Sequence, residues 1–137
     1  MFRFFVVSIS AGLIFAVLDG LLNANPLAQR LYEVYRPIAR QSVNVVAGVV
    51  VDLAYGFLMA WIFLLLYQSL PGGVGWMKGV SFGLLVWFFR VVMFALSNWV
   101  MFKVSGQTLA YTVVAGLVEM LVLGMFYGLT LNKGQAC

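Results

Sequence analysis

Three acids, Asp19, Asp52 and Glu119, and one arginine, Arg90, sit inside the long apolar runs of this 137-residue chain, one to each run. A charge at the centre of a bilayer costs roughly 2.5–3.5 kcal/mol on insertion scales, so such residues pair with one another or face a polar interior. One arginine facing carboxylates is the chemistry of a buried ion pair. The same acids could carry protons or cations across the hydrocarbon, with the arginine tuning them. The chain has no histidine, which removes imidazole as a haem ligand, zinc ligand or general base. Its single cysteine, Cys137, is the last residue, so it forms no intrachain disulfide and no prenylation box. No metal site and no cofactor is expected.

The elements holding these charges can be read from composition. The chain is 64% hydrophobic and 9% charged, with a mean hydropathy of +1.05, which is the signature of an integral membrane protein. The net charge of +4 is spread over the ends of the runs and suits anionic lipid headgroups, not nucleic acid. Four apolar runs, 4–22, 43–67, 78–102 and 107–131, predict an all-α bundle of four transmembrane helices forming one domain. The first run is too long for a signal-peptide core and lacks a small-residue cleavage site, so it is read as a retained span.

Between the first two runs, residues 26–38 place Leu27, Leu31, Val34, Tyr35 and Ile38 on one face and Arg30, Glu33, Arg36 and Arg40 mostly on the other. This predicts a short amphipathic helix lying in the interface, with Asn25 as N-cap, Pro26 as first residue and Pro37 as its end. Ser69 to Gly75 is rich in glycine and proline and reads as a tight turn, and Lys103 to Gly106 as another. Asn132 to Cys137 is a polar tail.

Small residues recur every four positions on each span, which lets helix backbones approach closely. The stripes are Ser8, Gly12, Ala16 and Gly20; Gly48, Asp52, Gly56 and Ala60; and Thr112, Gly116, Gly124 and Gly128. In the third run Gly79 and Gly83 are four apart, and Gly83, Arg90 and Ser97 are spaced by sevens. Arg90 and Asp52 therefore lie on packing faces, while Asp19 and Glu119 border them. A faint echo relates Gly12 and Asp19 to Gly83 and Arg90, as a duplicated helical hairpin would, but in a chain so rich in glycine, alanine and leucine coincidence is the preferred explanation.

Let side A be the membrane face of the N-terminus, to which a four-span chain returns. Counting about 1.5 Å per residue from side B puts Asp52 about 14 Å deep, Glu119 about 18 Å, Arg90 about 20 Å and Asp19 about 5 Å. The expected charge network is therefore Arg90, Asp52 and Glu119. Asp19 lies outside it, and Asp19, Ser97 and Asn98 are secondary candidates. Arg30, Arg36, Arg40 and Lys103 on side B outnumber Arg3, Lys78 and Lys133 on side A, a weak lean towards side B facing the cytoplasm.

The stretches Asp52 to Phe63, Gly79 to Gly83 and Met93 to Asn98 resemble a group of small bacterial four-helix membrane proteins of unassigned function. The resemblance covers the second to fourth runs and implies the helix count and a bacterial inner membrane, but no chemistry. Arg90 departs from the group, where a carboxylate or tyrosine stands nearby.

Three functions compete. In the first, preferred reading the chain is an accessory or structural protein, self-associating or part of a larger membrane complex, with the network as a register device. In the second it is a proton- or cation-coupled transporter or channel. The small multidrug exporters share its size, but their essential acid lies in the first helix and its surrounding signature is absent here. In the third it is an intramembrane aspartyl enzyme. Asp19 and Asp52 differ in depth by about 9 Å, too much for a shared-proton dyad, and the motifs of a lipoprotein signal peptidase are missing, so no enzyme is expected. A dry, fully paired triad favours the first reading. A polar crevice reaching Glu119 or Asp52 from one side favours the second.

Overall fold

The structure, a computed structural model, describes residues 1–38, 44–73 and 75–131. Arg40, the start of the second run at Val43, Val74 in the turn, and the tail with Lys133 and Cys137 lie outside the described residues, as does the side chain of Ile38. The elements are α1 (Phe2–Asn23), α2 (Pro26–Leu31), a 3-10 segment (Tyr32–Ile38), α3 (Val45–Leu66), α4 (Gly75–Trp87), a π-helical turn (Phe88–Val92), α5 (Met93–Met101) and α6 (Gly106–Thr130). Four helices, Phe2–Asn23, Val45–Leu66, Gly75–Met101 and Gly106–Thr130, are long and apolar enough to cross a bilayer. Hydrocarbon offers backbone groups no partner, and a helix satisfies its own. Large apolar side chains such as Val46, Leu65, Phe89 and Val100 point outward. The protein is an all-α, four-span integral membrane bundle.

The bundle is two hairpins joined through α1 and α6. α1 lies on α3, where a methyl added at Gly12 would sit 2.7 Å from the Leu53 Cα, and Gly56 fits against the backbone of Ser8 and Gly12. The seam of α4 with α6 is closer still: Gly79 meets Gly124, Gly83 meets Met120, and Gly128 meets Gly75, backbone on backbone. Between the hairpins, Phe63, Phe82 and Tyr127 form an aromatic core with ring centroids 5.2–6.4 Å apart. The buried Tyr127 hydroxyl donates to the Gly56 carbonyl at 2.7 Å, tying α6 to α3. At the side A end, the Arg3 Nε donates to the Thr130 carbonyl at 2.7 Å, so the first and last spans end beside each other.

Two glycines expected in the seams are not there. Gly20 and Gly48 are exposed with open space around them. A four-residue step over-rotates a helix by about 40°, so a stripe of four small residues turns off the contact line at its ends. Ala16, one step short of Gly20, is half-buried.

The connector after α1 also departs from expectation. Asn25 does cap α2, its Oδ1 accepting from the Ala28 N–H at 2.9 Å with Pro26 at the first position. The α-helix stops at Leu31, and Tyr32–Ile38 tightens to 3-10 geometry. Pro37, inside this 3-10 segment, lacks the N–H that a continuing α-turn would need. The connector is stapled to α6 at side B: Asn25 Nδ2 donates to the Tyr111 hydroxyl at 2.8 Å and Thr108 Oγ1 to the Leu31 carbonyl at 2.7 Å. At side A, Lys78 Nζ donates to the Tyr67 and Leu70 carbonyls at 2.6 and 3.2 Å, satisfying backbone oxygens left open where α3 ends.

Candidate functional site

The third span does not run straight through its arginine. From Phe88 to Val92 the helix opens to a π turn, with the Met93 N–H bonding the Phe88 carbonyl. One such turn accommodates an extra residue and rotates the remainder of the helix by roughly 100°. Arg90 is therefore turned inward while Ser97 is not carried with it. Ser97 is exposed and donates to the Met93 carbonyl of its own helix at 2.9 Å. Asn98 is half-buried one residue on. The heptad spacing that groups Gly83, Arg90 and Ser97 on one face assumes unbroken α geometry, and the π turn breaks it.

Arg90 is held from three helices. Its Nη1 lies 3.9 Å from Glu119 Oε2 on α6, an ion pair too long for a hydrogen bond. Its Nε donates to the Tyr55 hydroxyl on α3 at 2.9 Å. The guanidinium carbon lies 4.9 Å from the Phe15 ring centroid and 4.7 Å from that of Tyr55. Those two rings stack in parallel, 5.4 Å apart, so the cation rests against an aromatic wall built by α1 and α3. Glu119 is buried, its side chain 7% exposed, whereas that of Arg90 is 32% exposed. Apart from the bond to Tyr55, no N–H of the guanidinium has a protein acceptor within hydrogen-bond distance among the described residues.

Of the expected triad, the structure closes one pair. Asp52 makes no ion pair within 4 Å among the described residues, and it meets Arg90 only through the longer-range field. Tyr55, one turn further along α3, takes the hydrogen bond on Arg90 instead. Asp19, set apart by depth counting, lies close enough to interact electrostatically with both Asp52 and Glu119. That influence acts at long range and needs no ion pair, since Asp19 forms none within 4 Å among the described residues. The Asp19 carboxylate also accepts from Asn23 Nδ2 at 2.7 Å. Glu119 alone therefore pairs with Arg90, Asp52 acts on it at longer range, and the acids form no metal-binding group among the described residues.

A crevice of about 320 Å³ reaches this pair. Asn23 and Tyr32 line it at side B, Thr112 along its wall, and Arg90 and Glu119 deeper, with Val91, Phe94, Ala115 and Gly116 completing the lining. Gly116 is closed against the Val91 side chain, which lines the crevice beside it. Tyr32 and Thr112 share a hydrogen bond at 3.1 Å. Burial pushes the Tyr32 phenol above its ordinary range, outweighing the opposing bond from Thr112, so this hydroxyl stays neutral. A second, apolar groove of about 500 Å³ runs between the second and third spans, lined by Leu58, Ile62, Leu66 and Leu85 among others, with Tyr55 and Arg90 as its polar members. Arg90 lines both spaces. Nothing in the spacing of the sequence marks Tyr32 or Asn23 as members of the site, whereas Thr112 heads the small-residue stripe that Glu119 borders. Tyr55 alone carries a signal that sequence reasoning missed, a polar ring three residues from Asp52 and hence on a neighbouring face.

Compared with family models, with curated proteins and with solved structures, the chain has no match in any of the three.

Proposed function

We propose that the chain is a small proton-coupled membrane carrier in which Glu119 exchanges protons with side B and Arg90 is its displaceable counter-ion. The observation that carries this reading is the crevice that lines up the polar side chains of Asn23, Tyr32 and Thr112 with Arg90 and Glu119. A purely structural ion pair gains nothing from a polar path to its carboxylate, and a helix register device works best dry. Intramembrane acids reached by water are the usual carriers of protons across hydrocarbon. The loose 3.9 Å contact supports the same reading, because a counter-ion that must let go cannot be locked in a bidentate fork. Three acids against one arginine leave carboxylates that the protein does not neutralise itself, which suits proton traffic.

The resemblance to small bacterial four-helix proteins supports a bacterial inner membrane as the carrier's location. The Arg3–Thr130 contact supports both termini lying on one side of it, side A. The seam glycines leave the accessory reading as the runner-up, since they also serve a bundle with no transport role.

Cysteine labelling tests the crevice. Thr112→Cys, in a Cys137→Ser background, should react with a charged, membrane-impermeant thiol reagent added from side B and not from side A. Protection from both sides, with Ser105→Cys at the side B turn labelling normally, removes the aqueous path and the carrier reading with it.

A further inference from the structure

The arginine is shared between two spaces of opposite character, and its N–H donors are mostly unfilled. On the side B half lies the polar crevice with Glu119. On the side A half lies the groove between α3 and α4, apolar except for Tyr55 and Arg90 at its deep end. Its volume, about 500 Å³, is within the range of sites that take a drug-sized molecule. Bilayer lipid alone would leave the guanidinium facing hydrocarbon, at the cost such a charge carries there.

Resting on the carrier reading, we propose that this groove binds a long-chain monocarboxylic acid, its tail between α3 and α4 and its carboxylate on Arg90. Charge complementarity selects an anion, because the one formal charge lining the groove is a cation. Guanidinium N–H groups match a planar carboxylate two at a time. Depth selects a single-chain acid over a phospholipid. Arg90 is 15 residues from Gly75, about 22 Å along the span, out of reach of a headgroup anchored at side A. A carboxylic acid can enter the hydrocarbon neutral.

The exchange then balances without any further reactant. The O–H bond of the entering acid breaks and an O–H bond forms on Glu119. Arg90 exchanges one carboxylate for another, and the charge inside the bilayer is unchanged. The proton on Glu119 then leaves to side B as the restored Glu119 carboxylate displaces the bound anion from Arg90, so the site ends with the charge it began with.

The test uses the full chain in zwitterionic phosphatidylcholine nanodiscs with radiolabelled palmitate. Saturable binding is expected, competed by unlabelled palmitate and at least about tenfold less well by hexadecanol, which has the chain without the charge. Leu58→Trp, which fills the groove from a lipid-exposed position, should weaken binding about tenfold or more. So should the charge-neutral double variant R90Q/E119Q when compared with Glu119→Gln alone. Equal competition by palmitate and hexadecanol, or retention of binding in both Leu58→Trp and R90Q/E119Q, overturns the proposal.

The proton arm is read separately. Wild-type affinity should rise more steeply than that of Glu119→Gln as pH falls. Arg90-dependent palmitate binding with the same pH profile in both proteins would leave the acid site standing and refute proton exchange at Glu119.

Discussion

Arg90→Ala removes three contacts at once, and their sizes can be set against each other. The Nε–Tyr55 hydrogen bond has a charged donor, worth about 1.5–3 kcal/mol when desolvated. The stacking on Phe15 and Tyr55 adds about 0.5–1 kcal/mol for each ring at a partly open site. Loss of the counter-ion to Glu119 would approach the about 3–5 kcal/mol of a broken buried pair if the pair were closed. At 3.9 Å, with the arginine 32% exposed, only a fraction of that applies. A total destabilisation of about 3–4 kcal/mol is expected once mutual screening is allowed for. Glu119→Gln added to Arg90→Ala should restore about 1–2 kcal/mol, the part due to the stranded carboxylate. Protonation neutralises that same carboxylate, so the deficit of the single variant should also shrink as pH falls, whereas that of the double variant should not. Reversible unfolding in mixed micelles, followed by tryptophan fluorescence at several pH values, measures all of these. A single variant within about 0.5 kcal/mol of wild type, the scatter of an ordinary surface change, would mean that Arg90 is held by solvent and not by the protein. A double variant less stable than Arg90→Ala would refute the pairing with Glu119.

The packing and the site give further expected outcomes. Gly79→Ala should destabilise by at least about 2–3 kcal/mol, because its methyl meets the Gly124 backbone, which cannot yield. Gly20→Ala, in open space, should be neutral or stabilising by up to about 1 kcal/mol in the same unfolding assay. Deleting Phe89 should convert the π turn to α-helix, carry Arg90 off the Phe15–Tyr55 wall, and abolish the pH sensitivity of anion binding. Tyr55→Phe should cost about 1–2 kcal/mol in that unfolding assay and loosen Arg90 without removing its charge.

The four spans are legible in the sequence because hydrocarbon leaves a chain almost no other option. The Arg90–Glu119 pairing is legible for a related reason, since a lone cation at mid-bilayer has few places to go. The turn between the second and third spans is readable in its glycines, and Gly72 indeed takes a positive φ of 127°. Helical periodicity misleads wherever it is extended too far. Gly20 and Gly48 drop out of the seams because a period of four is not 3.6, and Ser97 drops out because Phe88–Val92 is not an α-helix. Nothing in the residues FFRVV announces a π turn. Asp19 makes no ion pair with Arg90 among the described residues, but its field reaches Asp52 and Glu119, which counting depth does not reveal. The crevice is bounded by Asn23, by Tyr32 of the connector, by Arg90 to Phe94 of the third span and by the Thr112 to Glu119 face of α6, and a space between elements has no spelling in any one of them.

The carrier reading stands on Glu119 being a protonatable carboxyl in contact with water on side B. Infrared difference spectroscopy of the protein in nanodiscs, titrated with pH and compared with Glu119→Gln, observes that carboxyl directly. A protonated-carboxyl band should grow as pH falls, shift when the crevice is exchanged with heavy water, and be missing in Glu119→Gln. A band that neither titrates nor shifts, or one that survives unchanged in the variant, would contradict it.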